Sequence, residues 1–435
     1  MPKRKVLIIT YYWPPSGGVA VQRTLKFVKY LQTFGWQPVV FTVSNGGYEI
    51  LDYLLEKQIP DNVEVIKKPI FEPYSIYNFF AGKRKKHFRV STKPNSKNVV
   101  GLMQKIFYFI RGNLFIPDTR CFWIRPSVKF LSDYLKTNPV DAIFSTGPPH
   151  STHLIALKLS RIIKIPWVAD FRDPWTEIYY YKELRLLGFV DKRYHELEKR
   201  VLQSANLVIV TCQNLKVSFE LRGARQIKII SNGFDEEDFK FDKFIPLDSE
   251  FTITYAGSLP PQGNPNSLWQ AIARLKSSNH PAGKNTKIKL VGKIDDSAIK
   301  SILEFGLEDN LELIGLVPHH EAIELINSAQ VLLITIPNSE NSELWVPAKL
   351  YEYMATKRPI ICVSPLDCPG AQIINDAKIG QVFDYVDTTG IEAHLKELYS
   401  KFISNELLPN SNTTNKYSRK YLTEQLANAL DELML

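Results

Sequence analysis

Along most of the chain a short apolar run is followed by a segment with apolar residues every three or four positions, the pattern of strands alternating with amphipathic helices. In the first half the runs predict strands at Val6–Thr10, Pro38–Val43, Val63–Ile66, Ala142–Ser145, Trp167–Asp170, Leu207–Thr211 and Ile227–Ser231. Helical segments such as Val21–Phe34 and Thr152–Ile163 lie between them. The pattern lapses over Phe234–Asp248, which is rich in Asp, Glu, Lys and Phe, and strands resume at Thr252–Ala256, Lys287–Val291, Leu311–Ile314, Val331–Ile336 and Ile360–Val363. This alternation predicts an α/β protein with parallel sheets. The lapse predicts a boundary: residues 1–234 as one doubly wound domain, 235–250 as a linker and 251–410 as a second such domain. After a polar stretch broken by Pro409, helical spacing resumes through Tyr417, Tyr421, Leu426 and Leu430, predicting a helix within 411–435. In such sheets ligands sit beyond the carboxyl ends of the strands, so the cleft between the two domains is the expected site.

A chain of 435 residues exceeds what one compact core organises, in agreement with two domains. Charged residues at 23% and aromatic residues at 12% are globular values and exclude disorder as the main state. The net charge of +9 favours anionic partners: phosphates, nucleic acid or acidic lipid. Cys121, Cys212, Cys362 and Cys368 form no C-x-x-C pair and read as free thiols in a reducing compartment. The apolar run after Lys5 is too short for a signal-peptide core. The stretch Val99–Pro117 is interrupted by Gln104, Lys105, Arg111, Gly112 and Asn113, so it is suited to lie on a membrane and not to cross one.

The sequence lacks the G-x-G-x-x-G and G-x-x-x-x-G-K-[ST] motifs, which disfavours a dinucleotide dehydrogenase or a P-loop enzyme. It also lacks a D-x-D pair, an H-E-x-x-H zinc motif and a G-x-S-x-G elbow. Four segments remain as candidates. Gly17 and Gly18 follow the first strand and precede a helix, where backbone can approach an anion or simply turn. His150 and His153 flank a helix start after the strand ending at Ser145, as site or packed residues. Asp170, Arg172 and Asp173 follow an apolar strand, as reactive groups or as a loop-stiffening ion pair. Lys349 and Glu352 lie one turn apart on a helix opened by Pro347 and closed before Pro359, as a site or as a surface pair.

Taken in order, Gly17-Gly18, "PPHSTH", "PWVADFRDPW", "IISNGFDEEDF", "YAGSL", "LVGK", "IGLVPHHEAIELINSAQVLLI" and "VPAKLYEYMATKRPII" resemble family 4 glycosyltransferases of the GT-B fold, especially bacterial enzymes of surface polysaccharide synthesis. The resemblance implies two Rossmann-like domains, an acceptor bound by the first, a nucleotide-sugar bound by the second and a C-terminal helix returning to the first. It implies a hexosyltransferase that retains configuration, with the leaving diphosphate accepting the proton of the attacking hydroxyl and with no metal or other cofactor. By the same resemblance Glu352 binds the donor ribose, and Lys349 or a first-domain Arg, with the amides near Gly257 and Ser258, offsets the diphosphate; His150, Arg172 and Asp173, each after the carboxyl end of a strand, are expected to line the transfer site. The chain departs from the family at three places. Leu344 stands where a second Glu is usual, Ser258 and Gln262 stand where an Arg and a Lys are usual, and Arg172 stands near the position of a His.

Competing expectations are a sugar-nucleotide 2-epimerase of the same fold, a nucleotide-sugar-binding homologue without activity, and a nucleic-acid-binding protein. The last rests on the basic run 83–89 alone, without recurring aromatics, and is disfavoured. That run, followed by the apolar and basic segment Leu102–Arg111, predicts docking on an anionic membrane, hence a peripheral place on its cytoplasmic face.

Overall fold

The structure, a computed structural model, describes residues 4–48, 50–72, 99–178, 180–241, 243–337, 342–344, 346–407 and 414–435. The chain divides into two units, Met1–Ser231 with Arg419–Leu435, and Asn232–Ser418.

The first unit contains strands β1 (Arg4–Ile9), β2 (Trp36–Val43), β3 (Glu64–Lys68), β4 (Ala142–Gly147), β5 (Trp167–Phe171), β6 (Leu207–Val210) and β7 (Ile227–Ile229). They form one sheet in the order β3-β2-β1-β4-β5-β6-β7, and every neighbouring pair is parallel. Ile8 of β1 lies beside Val40 on one side and Phe144 on the other, fixing the register at the centre. Every residue of β4, β5 and β6 is buried, because both faces of a parallel sheet are covered, which is why these strands read as unbroken apolar runs. One face packs Val6, Ile8, Val40, Phe144 and Ile209 against Leu25 and Val28 of the helix Val19–Leu31. Leu422, Leu426 and Leu430 of the helix Arg419–Glu432 complete that same core.

The second unit contains β8 (Phe251–Leu259), β9 (Thr286–Ile294), β10 (Leu311–Gly315), β11 (Val331–Thr335), β12 (Ile360–Val363) and β13 (Gly380–Phe383), again all parallel, in the order β10-β9-β8-β11-β12-β13. In each sheet the strand order reverses direction once, between β1 and β4 and between β8 and β11. These are the switch points at whose carboxyl ends doubly wound sheets bind ligands.

Three features differ from the sequence reading. Residues 235–250 are built into the second unit: the Asp248 amide donates to Ser328 (2.8 Å), its carboxylate accepts from Thr252 (2.8 Å) and pairs with Lys289 (2.9 Å). The second passage of the chain falls at Ser418, since Phe234 donates its amide to the Tyr417 carbonyl (3.1 Å) and Tyr417 packs on Tyr351. The strand β13 escaped the pattern because it is a four-residue edge strand of which Phe383 alone is buried.

Candidate active site

The second unit gathers its candidate residues at the carboxyl end of β8. The helix Lys349–Thr356 begins after Pro347-Ala348, and Leu350, Tyr351, Tyr353 and Met354 form its buried face. Lys349 and Glu352 occupy the remaining side, and Lys357 in a left-handed conformation (φ 58°) stops the helix. The Tyr353 hydroxyl accepts the Ala256 amide at 2.8 Å, tying this helix to the end of β8. There Gly257 has φ 126° and its register partner Gly292 has φ 110°. A Cβ on Gly292 would stand 2.2 Å from the Gly257 oxygen, and one on Gly257 would stand 3.2 Å from Lys349 Nζ. The two glycines therefore let the strands and the lysine converge where side chains would prevent it.

Lys349 Nζ lies 3.7 Å above the centre of the Tyr255 ring and donates to the Tyr255 hydroxyl, which donates in turn to the Ser258 carbonyl at 2.5 Å. Burial pushes the Lys349 amine down to about 7, with Glu352 opposing the shift. Gly257 and Ser258 are exposed beside it. Glu352 is half-buried, and its Oε1 stands 3.9 Å from Nε2 of His319, the first residue of the helix His319–Ser328. Gly257, Ser258, Lys349 and Glu352 thus share one end of one sheet. Leu344 is buried, so no carboxylate stands at that position.

In the first unit, Gly18 (φ 88°, ψ 179°) opens the helix Val19–Leu31 in a conformation that favours glycine. A Cβ on Gly17 would stand 2.8 Å from Ile50, so its lack of a side chain serves local packing. Arg172 is buried and does not project as an unengaged cation. Its Nε donates to the Gly147 carbonyl (3.1 Å), one terminal nitrogen to Ala20 (2.8 Å) and the other to Pro148. It thereby spans the switch point, joining the turn after β4 to the first turn of the Gly17-Gly18 helix. Arg172, expected at the transfer site, is thus engaged as a clamp on three backbone carbonyls. Asp170 is likewise structural: its carboxylate receives Arg23 (2.7 Å) and Thr146 (2.7 Å), with Arg23 and Asp170 both fully buried.

His150 stacks on Trp175 at 4.4 Å and 6°, and burial holds it well below its ordinary value, with His153 and Arg172 adding to the effect. It is therefore a neutral imidazole. His153 packs on Phe171, shares a hydrogen bond with Ser145 (2.9 Å) and is pushed down by burial to about 3. Asp173, half-buried at the end of β5, is raised by burial and pulled back by Arg172. Asp118 holds the start of the helix Ser151–Ile163 through the Ser151 amide (2.9 Å) and hydroxyl (2.8 Å). Sequence reasoning missed Tyr255, His319 and Asp118. Tyr255 had a signal in its place two residues before Gly257, whereas Asp118 had none, lying 33 residues from its partner. Among the described residues no cluster of three or more His, Cys, Asp or Glu is placed to hold a metal.

Residues 235–420 match the family of glycosyl transferases, group 1. This group 1 segment takes in nearly all of the second unit, including Gly257, Lys349 and Glu352. No match is found among curated proteins. In fold the whole chain is similar to a glycosyltransferase from Rickettsia africae ESF-5, with TM-score 0.64, 13% identity and coverage of 100% of this chain and 99% of that one. It is also similar to Anabaena Alr3699/HepE, whose structure contains UDP-glucose, with TM-score 0.59, 14% identity and coverage of 99% and 100%. A protein described as a UDP-N-acetylglucosamine 2-epimerase from Listeria monocytogenes gives TM-score 0.58 at 10% identity, covering 99% of this chain and 97% of that one. These likenesses establish the fold as GT-B, with two Rossmann-like units.

Proposed function

We propose that the chain is a retaining glycosyltransferase, of family 4 and hexosyl-transferring, that moves a sugar from a nucleotide-sugar to a hydroxyl of a glycan or lipid-linked acceptor in surface polysaccharide synthesis. The observation that carries this reading is the group 1 match over a unit in which Gly257, Lys349 and Glu352 meet at one sheet end. In the reaction the bond from the sugar's anomeric carbon to the diphosphate oxygen breaks, and that carbon bonds to the acceptor oxygen on the same face. The hydroxyl proton passes to the departing diphosphate. Negative charge grows on the diphosphate, and Lys349 with the amides at Gly257 and Ser258 offsets it. Glu352 accepts hydrogen bonds from the ribose, a charge-assisted contact. On the acceptor side Asp173 is the carboxylate suited to orient the attacking hydroxyl, and neutral His150 is suited to hydrogen bonding. Arg172 fixes the backbone around them. We assign the diphosphate's countercharge to protein groups and infer no resident metal or other cofactor.

The test is a set of nucleotide-sugars assayed with and without a glycan or lipid-linked acceptor. Transfer that requires acceptor and falls with Lys349→Ala and Glu352→Gln supports the reading. Release of an altered sugar from the nucleotide-sugar alone favours the epimerase, whose fold is shared. Tight nucleotide binding without either reaction marks an inactive homologue.

We further propose a peripheral place on the cytoplasmic face of a membrane. The basic run 83–89 lies outside the described residues, as do the side chains of residues 99–105 and 107. Within the helix Val99–Leu114, Ile106, Phe109, Ile110 and Leu114 are exposed, with Phe122 and Phe71 exposed farther along the unit. No helix among the described residues is long and apolar enough to cross a membrane. Each basic residue near an anionic leaflet contributes about 1 kcal/mol. Sedimentation with anionic vesicles should rise with anionic lipid and fall with salt, and absence of binding at low salt refutes this placement.

A further inference from the structure

We propose that His319 is a donor-recognition residue that shares one ribose hydroxyl of the nucleotide with Glu352. The proposal rests on the reading of Glu352 as the ribose carboxylate. His319 Nε2 and Glu352 Oε1 are 3.9 Å apart, too far for a hydrogen bond between them. The separation suits a single oxygen standing about 2.8 Å from each. A hydroxyl has the needed chemistry, since it donates to a carboxylate while accepting from an imidazole N–H. Neither a second carboxylate nor a carbonyl could do both.

Position supports the assignment. His319 opens the helix that follows β10, and that helix packs against the helix carrying Lys349 and Glu352. The side chains are 40% and 33% exposed for His319 and Glu352, so both are reachable from solvent. Position 344 carries a buried leucine, while the adjacent Glu343 is exposed. The ligand class is a ribonucleoside diphosphate, and the discrimination is for ribose over deoxyribose.

The experiment is calorimetric titration of the full chain with UDP, with GDP in a parallel series, and with the 2′-deoxy and 3′-deoxy forms of each. Wild type should bind one ribonucleotide and lose well over tenfold with one of its deoxy forms, which forfeits the contacts to both Glu352 and His319. His319→Ala should lose about fivefold from the ribonucleotide, the worth of about one hydrogen bond, and nothing from that deoxy form, with unchanged melting temperature. His319→Gln, which keeps a donor, should recover part of the loss. Equal weakening of all forms by His319→Ala, or no weakening, overturns the proposal alone, provided Glu352→Gln still weakens the ribonucleotide. Failure of wild type to bind either ribonucleotide overturns the donor reading together with it.

Discussion

Lys349 spends part of its time without a charge near neutrality, because burial against Tyr255 brings its amine down to about 7. A bound diphosphate favours the protonated form, so binding takes up a proton above pH 7. Donor affinity should be level below about 7 and fall as the pH rises, approaching tenfold per unit. The check is titration with UDP from pH 7 to 9, where Lys349→Met should show the weaker and flatter profile. The same residue destabilises the free fold. Its folded value lies below the unfolded 10.5, so between about 7 and 10.5 the unfolded chain binds more protons and stability rises with pH. Lys349→Met without ligand should therefore be the more stable protein at pH 7, by a margin that shrinks toward pH 10 in denaturant titrations. His153 gives a separate pH dependence. Its folded value of about 3 lies below the ordinary 6.5, so its share of stability is present above 6.5 and lost as the pH falls toward 3. Arg172 and Asp173 should separate kinetically. Asp173→Asn should lower turnover more than donor affinity, whereas Arg172→Ala should lower the melting temperature as well, since it abandons three carbonyls. Equal losses of stability in both variants would remove Asp173 from the reaction.

At the scale of elements, strands whose residues are wholly buried were legible, because burial on both faces forces a continuous apolar run such as Leu207–Val210. The edge strand Gly380–Phe383 was not, for an edge needs little burial. The helix holding Lys349 and Glu352 was legible from Pro347 and Pro359, which bracket it. Tertiary partners were opaque: nothing near Asp170 announces Arg23, 147 residues away, and nothing near Arg172 announces Ala20, 152 residues away. The sequence therefore left the charges after β5 open between reactive groups and braces, and Asp170 and Arg172 make bracing contacts. The helix Arg419–Glu432 offers a prediction at this scale. Leu426 is fully buried in the first unit's core, so Leu426→Ala should cost about 2–5 kcal/mol, measured by denaturant unfolding. A cost below about 1 kcal/mol would show that the helix is not part of that core.

For the whole molecule, two separate sheets with separate cores predict two calorimetric transitions. A bound nucleotide should raise the transition of the second unit, and Leu426→Ala should lower that of the first. A single transition shifted by both would refute this independence. The chain leaves the first unit after Ser231 and returns at Arg419, so the second unit is in effect an insertion within the first. During vectorial synthesis the first 231 residues emerge early yet lack a wall of their core until Leu422, Leu426 and Leu430 follow, while the inserted unit already has everything it requires. The domain begun first on the ribosome is thus the one completed last, and in the interval the face awaiting that helix stays exposed.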